Sequence, residues 1–342
     1  MGIVKRHFGN RDGQDVSLYT LTTSGRLEVS ITNFGGAVVS LKAPDRRGEF
    51  ADVVLGYETL DEYVRNPRYF GGLIGRHANR IGLGRFSLNG VDYQLTQNNG
   101  ANHLHGGAKG FDKRVWKALD QKDPGAASLR LEYLSVDGEE GYPGNVRVEV
   151  TYTLSPDDEL EINYEATTDR DTIVNLTNHS YFNLAGSGDI LGHQLTLHAD
   201  AFTPVSKELI PTGEIKSVDN TPMDFRRAKA IGTDLSLAGG YDHNFVLKDY
   251  DGSLRPAARL YEPNSGRVLE ILTTEPGIQF YSGNFLDGSL TGKGGASYHK
   301  YAGLCLEPQH FPDAPNHANF PGTVLRPGEV YKHVSKYRFS CD

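Results

Sequence analysis

The most constraining feature of this chain is a strict alternation of apolar and polar residues over many short stretches. It is longest over residues 146–154 (VRVEVTYTL) and recurs over residues 160–166, 129–134 and 27–31. Successive side chains of a β-strand point to opposite faces, so each stretch predicts a strand with one apolar face. Such a face is buried only against another sheet or by closure of its own sheet. The pattern predicts an all-β fold, a large antiparallel β-sandwich with few short helices.

Turn signals separate these stretches. Residues 155–159 (SPDDE) lie between the two longest ones and combine residues that initiate turns and stop strands. Asn89-Gly90 joins residues 86–88 to residues 91–93 and supplies the two positive φ angles of a type I′ turn. Helices are expected only around residues 60–64 and 225–230. No repeat and no Ser- or Pro-rich linker divides the chain, so we expect one domain over residues 1–342.

Charge and cysteine content narrow the class of protein. Lys and Arg number 35 against 43 Asp and Glu, which gives a net charge of −8 without a basic block, and no nucleic-acid partner is expected. No apolar run approaches the ~18 residues of a membrane helix. The two cysteines, Cys305 and Cys341, cannot form a disulfide framework and are predicted to be reduced.

The first residues lack the apolar core of a signal peptide, which predicts a cytoplasmic protein; a leader removed from a longer parent chain would leave no trace here.

Familiar cofactor and nucleophile motifs are absent from the sequence. There is no G-x-S-x-G elbow, and residues 288–294 (GSLTGKG) have the wrong glycine spacing for a phosphate-binding loop. His103 and His105 would share one face of a strand, as metal ligands do. The four residues that follow, 106–109, are GGAK and offer no carboxylate ligand. We therefore favour hydrogen-bonding histidines over a metal site at this pair.

Several segments are too polar and too structured to be ordinary connections. They are residues 75–81, 103–116, 175–186, 240–247, 276–284 and 304–317. Together they contain Arg80, His105, His179, Asp242, Gln279 and Glu307. This combination of one fixed cation, two imidazoles, two carboxylates and an amide suits a neutral ligand with many hydroxyl groups, which both donate and accept hydrogen bonds.

Each of these residues also has a purely structural interpretation. Arg80 could pair with a surface acid, His105 could occupy a turn, and Asp242 could cap one. His179 could be a satisfied core histidine in its aromatic surroundings. Glu307 is the hardest to explain in this way, because it follows the apolar residues 304–306 and precedes Pro308. A carboxylate buried in a strand needs a partner or a function.

At these segments the sequence resembles the aldose 1-epimerase family, the galactose mutarotases. The most specific matches are residues 175–186 (NLTNHSYFNLAG) and 306–317 (LEPQHFPDAPNH), and the resemblance runs in order from residues 33–37 (NFGGA) to residues 321–323 (PGT). It implies a galactose mutarotase-like β-sandwich that interconverts the α and β anomers of free aldoses such as galactose or glucose. It also implies that neither a metal nor an organic cofactor takes part. The expected partner is a small-molecule aldose, and the expected assembly is a monomer or a homodimer.

The resemblance also implies a role for each site residue. Glu307 corresponds to the general base and His179 to the general acid. The positions implied to bind the sugar are Arg80, Asn79, His105, Asp242 and Gln279.

The implied chemistry fits these side chains. Opening a hemiacetal ring removes the proton of the C1 hydroxyl and protonates the ring oxygen. A carboxylate with a reference pKa of ~4.3 is already ionised at neutral pH, and an imidazole near ~6.5 can carry the donated proton. Because an imidazolium beside a carboxylate titrates late, we expect the alkaline limb of the pH profile above the ordinary histidine value.

Two other classes of function stay open on the residues alone. A glycoside hydrolase would use Asp242 and Glu307 as its two carboxylates, although His179 would then have no obvious role. A non-catalytic sugar-binding β-sandwich module is the second alternative, because a fold does not fix a function.

Overall fold

The computed structural model describes residues 2–65, 68–119 and 127–342, most of which lie in β-strands or the turns between them. The strands up to residue 154 are β1 (Gly2–Arg11), β2 (Gln14–Thr22), β3 (Glu28–Thr32), β4 (Val38–Pro44), β5 (Phe50–Asp52), β6 (Leu73–Ile74), β7 (Arg80–Ile81), β8 (Arg85–Leu88), β9 (Val91–Gln94), β10 (His103–Leu104), β11 (Lys117–Leu119), β12 (Ala127–Ser135) and β13 (Val146–Leu154). The later strands are β14 (Glu159–Thr168), β15 (Thr172–Ile173), β16 (Thr177–Asn178), β17 (Tyr181–Phe182), β18 (Gln194–Leu197), β19 (Ala199–Phe202), β20 (Lys216–Ser217), β21 (Lys229–Ala230), β22 (Asp242–Leu247), β23 (Arg255–Tyr261), β24 (Arg267–Thr273), β25 (Gly277–Tyr281), β26 (Leu304–Gln309), β27 (Val324–Leu325) and β28 (Tyr331–Cys341). The α-helices are α1 (Leu60–Arg65) and α2 (Leu235–Ala238), and short 3₁₀ turns occupy Gly82–Gly84, Phe111–Lys113, Glu139–Gly141, Lys293–Gly295 and Ala314–Asn316.

Three sheets hold most of these strands. A nine-stranded sheet has the order β11-β12-β13-β14-β28-β24-β23-β18-β21, and a six-stranded sheet has the order β17-β26-β25-β22-β19-β20. The first five strands form a third sheet in chain order. Neighbouring strands in all three sheets run antiparallel. The predicted all-β antiparallel architecture is thus confirmed.

The alternating stretches form the strands that the sequence predicts. Residues 146–154 are β13, whose side chains alternate between buried and more exposed positions, and β14 continues it with Leu154 opposite Leu160. The predicted Asn89-Gly90 turn is present between β8 and β9, with φ angles of 52° and 78° and Leu88 opposite Val91. Two successive positive φ angles match the right-handed twist of the flanking strands.

The helix predictions are half correct. The expected helix at residues 60–64 is α1. The expected helix at residues 225–230 is wrong, because residues 229–230 form β21 beside β18. The Asp224 carboxylate accepts the backbone N–H of Arg226 in a turn, and the Phe225 ring is buried against Tyr241 and Phe280. Tertiary packing therefore overrides the weak helical pattern at this place.

The main hydrophobic core joins the nine- and six-stranded sheets. It takes Ile271 and Phe339 from the first and Ile278, Phe280 and Leu306 from the second. Because side chains alternate along a strand, the opposite face of β22, β25 and β26 carries the remaining positions. Those positions hold the polar residues Asp242, Asn244, Gln279, Glu307 and Gln309. The fold therefore places an apolar core on one side of these strands and a polar surface on the other.

Among the described residues, no helix is both long and apolar enough to cross a membrane.

Candidate active site

The polar face of three neighbouring strands forms the floor of the site. Strand pairing places Gln279 of β25 opposite Glu307 of β26, and on its other side opposite Asn244 of β22. The amide of Gln279 donates a hydrogen bond from Nε2 to Asp242 Oδ1 at 2.7 Å. Gln279 therefore orients Asp242, and its position is fixed by the register of the sheet.

Glu307 is 2% exposed, and its surroundings oppose a negative charge. Within residues 2–65, 68–119 and 127–342 its Oε2 has no hydrogen-bond partner. Burial raises the pKa of Glu307 well above its ordinary value, and the nearby Asp242 carboxylate raises it further, while Arg80 partly offsets both effects. An unsatisfied buried carboxyl group costs stability, so its presence points to a function.

His179 faces Glu307 across the floor. Its Nε2 lies 3.8 Å from Glu307 Oε2. Its backbone is fixed because the His179 N–H donates to the Gly72 carbonyl and the Gly71 N–H donates to the His179 carbonyl, both at 2.9 Å. The imidazole stacks between the Tyr69 and Tyr181 rings, with centroids 5.7 and 5.1 Å away. In this orientation the Nε2 atom of His179 is directed towards the Glu307 carboxylate.

The protonation of His179 differs from the expectation. Burial lowers the pKa of this imidazole to about 4. On its other side, Nδ1 lies 3.5 Å from the Cys305 thiol, whose own pKa is raised by burial, so no anion stabilises the imidazolium there. This shift opposes the late titration expected of His179, whereas the position of the alkaline limb stays a prediction. Burial also raises the pKa of Glu307, so the surroundings of the pair disfavour the charged form of both groups.

His105 presents a fixed hydrogen-bond donor to the site. Its Nδ1 accepts the backbone N–H of Asn79 at 3.2 Å, so the neutral ring carries its proton on Nε2. Burial lowers its pKa well below the ordinary value, and His179 and Arg80 lower it further. The His105 backbone has a φ of 52°, and a Cβ on the following Gly106 would lie 1.7 Å from the Gly75 carbonyl oxygen. The glycine is therefore required for the close approach that holds His105 in place.

Both ring nitrogens of His103 are engaged in hydrogen bonds, so His103 and His105 do not form a pair of metal ligands. Its Nδ1 donates to the Thr96 carbonyl at 2.7 Å, and its Nε2 accepts the Tyr142 hydroxyl at 2.6 Å. The strand that would place both imidazoles on one face ends at Leu104. The prediction that His103 is a hydrogen-bonding histidine is confirmed.

A different trio has the composition of a metal site. The ligand atoms of His105, His179 and Glu307 lie within 4.8 Å of one another, and all three residues are buried. A metal ligand must present a lone pair, and His105 Nδ1 already uses its lone pair on the Asn79 amide. The Nε2 atom of His105 then carries a proton, so the trio fits a hydrogen-bonded ligand better than a metal ion.

Arg80 and Asn79 complete the polar wall. Asn79 Oδ1 accepts the backbone N–H of Arg80 at 2.8 Å, and Arg80 Nε donates to Asn99 Oδ1 at 3.2 Å. The Arg80 guanidinium NH1 lies 3.9 Å from Asp242 Oδ2. The alternative that Arg80 pairs with a surface acid does not hold, because its side chain is 9% exposed and turned towards the cavity.

These residues surround a cavity of about 710 Å³. Of the predicted site residues, those that line it are Asn79, Arg80, His105, His179, Asp242 and Glu307. Gln279 does not line it and lies behind Asp242. Sequence reasoning missed Tyr69, Asn99 and Phe285, which also line the cavity. Tyr69 and Asn99 carried no local signal, because loops distant along the chain bring them to the site.

Comparisons with known proteins identify the family to which the chain belongs. The sequence profile of the family described as "Aldose 1-epimerase" matches residues 17–338. The chain belongs to the aldose 1-epimerase family and is an isomerase. Its relatives include "Galactose mutarotase" from Bos taurus, 50% identical over 323 residues, which are 93% of this chain and 92% of the relative. "Aldose 1-epimerase" from Escherichia coli K12 is 37% identical over 97% of both chains.

Solved structures share the fold. The GalM/aldose epimerase homologue from C. elegans superimposes with a TM-score of 0.89 at 34% identity, covering 95% of this chain and 99% of its own. Galactose 1-epimerase from Lactobacillus acidophilus superimposes with a TM-score of 0.87 at 27% identity over 99% of both chains. The predicted galactose mutarotase-like fold is therefore confirmed.

Proposed function

We propose that this protein interconverts the α and β anomers of free aldoses, such as galactose or glucose, by opening and reclosing the sugar ring. Glu307 acts as the general base and His179 as the general acid. The residues proposed to bind the sugar are Arg80, Asn79, His105, Asp242 and Gln279, of which Gln279 acts through Asp242. The observation that carries the proposal is the buried pair His179 Nε2 and Glu307 Oε2, 3.8 Å apart at the cavity floor.

The reaction is a balanced exchange of two protons. The C1 O–H bond breaks and its proton passes to the Glu307 carboxylate, while the bond between C1 and the ring oxygen breaks. The ring oxygen takes a proton from the His179 imidazolium, which leaves an open-chain aldehyde. Rotation about C1–C2 presents the other face of the aldehyde, and reclosure returns both protons. General acid–base catalysis of this kind contributes about 10²–10⁴-fold in rate.

The pair enters this reaction with one shared proton. Burial favours that proton on Glu307, because the pKa of Glu307 is raised and the pKa of His179 is lowered to about 4. The working arrangement moves it to His179, which leaves Glu307 as a carboxylate. Both arrangements contain the same number of protons, so the two residues titrate as a unit. The pair therefore holds the single proton that the reaction needs over a range of pH. This range lies between two apparent pKa values, a lower one set mainly by His179 and a higher one set mainly by Glu307.

The remaining side chains hold the sugar. His105 donates from Nε2, Arg80 donates from its guanidinium, and Asp242 accepts through a carboxylate that Gln279 orients. Hydrogen bonds that involve a charged partner are roughly twice as strong as neutral ones and fix orientation. Holding C1 and the ring oxygen against the catalytic pair converts proton transfer into an intramolecular step.

Polarimetry tests the proposal directly. A freshly dissolved pure anomer of galactose or glucose is mixed with the protein, and the approach to anomeric equilibrium is followed. We expect a faster approach that is proportional to protein concentration. An unchanged rate would support a non-catalytic sugar-binding module. Release of phenol from an aryl glycoside, without faster anomer equilibration, would support a glycoside hydrolase.

Four further expectations from the sequence remain predictions. They are a cytoplasmic location, the absence of nucleic-acid or membrane partners, a monomer or homodimer, and independence from any cofactor.

A further inference from the structure

A second buried glutamate lies outside the cavity and is surrounded by partners. Glu275 occupies the turn between β24 and β25 and is 2% exposed. Its Oε2 lies 2.5 Å from His310 Nδ1, and its Oε1 lies 3.0 Å from His333 Nδ1. The Tyr331 hydroxyl also donates to Oε1 at 3.2 Å. None of these four residues lines the cavity, so this cluster does not touch the sugar in the proposed reaction.

The cluster is built to hold a charge. Burial opposes ionisation of Glu275, but the attraction of His310 and His333 holds its pKa well below the ordinary value. Burial likewise opposes the charge of His310, and Glu275 raises the pKa of His310 above its ordinary value. The 2.5 Å contact between His310 Nδ1 and Glu275 Oε2 and these opposite pKa directions together favour a buried ion pair between Glu275 and His310. Pairs of this kind contribute little net stability but are costly to break from one side only.

The ion pair anchors the strand that carries Glu307. His310 directly follows β26, three residues after Glu307, and Glu275 precedes β25, which pairs with β26. The cluster therefore closes the end of this strand pair, roughly 10 Å of extended chain from Glu307. Because Glu307 Oε2 has no hydrogen-bond partner in the described residues, its carboxylate depends on the strand for its position.

Asn175 extends the anchor to the other site segments. Its side-chain amide donates to the His310 carbonyl at 3.1 Å and accepts the His310 N–H at 3.0 Å. Its backbone carbonyl accepts the Ala78 N–H at 2.8 Å, and its own N–H donates to the Arg76 carbonyl at 3.0 Å. One fully buried residue thus connects the segments that lead to Arg80, His179 and Glu307.

We propose that Glu275, His310 and Asn175 are positioning residues that hold Glu307 in register with His179. This inference rests on the proposed function, because it assigns the three residues to the geometry of proton transfer. A displacement of about 1 Å between reacting groups can cost ~10²-fold in rate. Sugar contacts come from other side chains, so loss of the anchor lowers kcat much more than it weakens binding.

The chain provides a matched control for Glu275. Glu262 is also buried, at 3% exposure, and lies in the turn at the opposite end of β24. Its carboxylate accepts the backbone N–H groups of Asn264 at 3.0 Å and Ser265 at 2.6 Å. Glu275→Gln and Glu262→Gln therefore make the same chemical change in two buried turn carboxylates. Only the first of these carboxylates contacts the segment after β26.

The experiment compares kcat and KM for anomer equilibration in the wild type and in both variants, with folding checked by circular dichroism. We expect Glu275→Gln to lower kcat by about 10-fold or more with KM changed by no more than about 2-fold. Glu262→Gln should leave both constants within about 2-fold of the wild type. Equal effects of the two substitutions on kcat would overturn the positioning role and leave a purely structural cluster.

Two substitutions at His310 keep the test decisive if Glu275→Gln does not fold. His310→Asn preserves a donor that can reach Glu275 Oε2, whereas His310→Leu removes it. We expect His310→Leu to reproduce the loss in kcat and His310→Asn to recover most of it. Equal kcat in the two variants would contradict the anchor. A wild type that does not accelerate anomer equilibration would overturn the proposed function itself, whereas an active wild type with unaffected variants overturns only the positioning role.

Discussion

Two glutamates of this protein are equally buried and yet have opposite electrostatic surroundings. Glu275 and Glu307 are each 2% exposed. Glu275 lies in the turn that precedes β25, and Glu307 lies in β26, the neighbour of β25. Two histidines and a tyrosine surround Glu275, and its pKa is lowered. One oxygen of Glu307 has no hydrogen-bond partner among the described residues, and its pKa is raised. Partners, rather than depth of burial, decide whether a buried carboxyl group is charged.

The comparison separates anchoring from chemistry. The satisfied carboxylate contributes to the alignment of segments and reacts with nothing. The unsatisfied one is costly to the fold and can exchange a proton, which is what a general base requires. Natural proteins tolerate such local costs at functional sites and compensate for them elsewhere in the fold.

The largest expected effect is the loss of activity in Glu307→Gln. The amide retains the shape but cannot take the C1 proton, so we expect kcat to fall by about 10²–10⁴-fold. At a pH close to the ordinary glutamate value of 4.5, the free energy of unfolding should change by less than about 1 kcal/mol, because no satisfied hydrogen bond to Oε2 is lost. Polarimetry and urea unfolding measure the two quantities. A variant with the wild-type rate would show that Glu307 is not the base.

The second prediction concerns the pH dependence of the reaction, which should distinguish the two cavity histidines, His179 and His105, whose ring centroids lie 5.0 Å apart. We expect a bell-shaped pH profile of kcat/KM. Because burial lowers the pKa of His179 to about 4, the acidic limb should lie below the ordinary histidine value. The raised pKa of Glu307 places the alkaline limb above the ordinary glutamate value.

The matched variants His179→Gln and His105→Gln test this assignment. His179→Gln should remove most of the activity, and what remains should lack the acidic limb. His105→Gln should weaken sugar binding and keep both limbs. If the acidic limb disappears in His105→Gln and persists in His179→Gln, the acid has been assigned to the wrong histidine.

A smaller effect is expected from the residues that bind the sugar. Asp242→Ala and Arg80→Ala each remove a charged hydrogen-bonding group, so KM should rise about 10-fold or more. Arg226→Ala is the control, because Arg226 pairs with Asp224 outside the cavity. Steady-state kinetics measures the constants. Unchanged KM values in both cavity variants would mean that the sugar binds elsewhere.

The stability of the Glu275 cluster should depend on pH in a defined direction. Because the pKa of Glu275 is lowered, its ionised form stabilises the fold at pH values above its ordinary pKa of 4.5, and this stabilisation is lost as the pH falls. Because the pKa of His310 is raised, its protonated form stabilises the fold at pH values below its ordinary pKa of 6.5. This stabilisation is lost as the pH rises through the pKa of His310 in the folded protein. Between pH 4.5 and pH 6.5 the free energy of unfolding of the wild type should therefore exceed that of Glu275→Gln by about 3 kcal/mol. On either side of this range the difference should be smaller.

Glu307 should show the opposite trend in the same experiment. Its pKa is raised, so the wild type should lose stability relative to Glu307→Gln as pH rises above the ordinary value of 4.5. Urea unfolding at several pH values measures both differences. Parallel curves for the two variants would contradict the contrast between the two glutamates.

The smallest expected effect is that of a chelator. The proposed ring opening needs no Lewis acid, and His105 Nδ1 already accepts the Asn79 amide, which leaves Nε2 protonated. We expect the rate of anomer equilibration to be unchanged after exhaustive dialysis against EDTA. Activity lost on dialysis and restored by one divalent cation would assign the trio His105, His179 and Glu307 to a metal.

Most of the candidate site could be found in the sequence, because several of its residues lie in conspicuous polar segments. Glu307 is the clearest case, since an acidic residue between the apolar residues 304–306 and Pro308 calls for an explanation. Glu275 also stands directly before a proline, Pro276, but it follows Thr273 and Thr274 rather than an apolar run, so no local pattern marks it. A Glu-Pro pair in the sequence does not reveal whether two histidines will surround the carboxylate.

The protonation of the site could not be read from the residues. Reference pKa values describe solvated groups, and they place the proton on His179 and the charge on Glu307. In the folded chain both groups are almost completely removed from water, which lowers the pKa of His179, raises the pKa of Glu307 and so opposes that arrangement. Likewise, the choice between the two nitrogens of His105 depends on a single backbone amide, that of Asn79.

The sequence by itself determined the strands, their buried faces and the chemical types of the site residues. These follow from the alternation of neighbouring residues, which is a local property of the chain. The tertiary structure alone decided which carboxylate is satisfied, which imidazole nitrogen faces the cavity, and how Asn175 meets His310 across 135 residues. Such contacts depend on the packing of distant segments, and no local pattern encodes the distance between them.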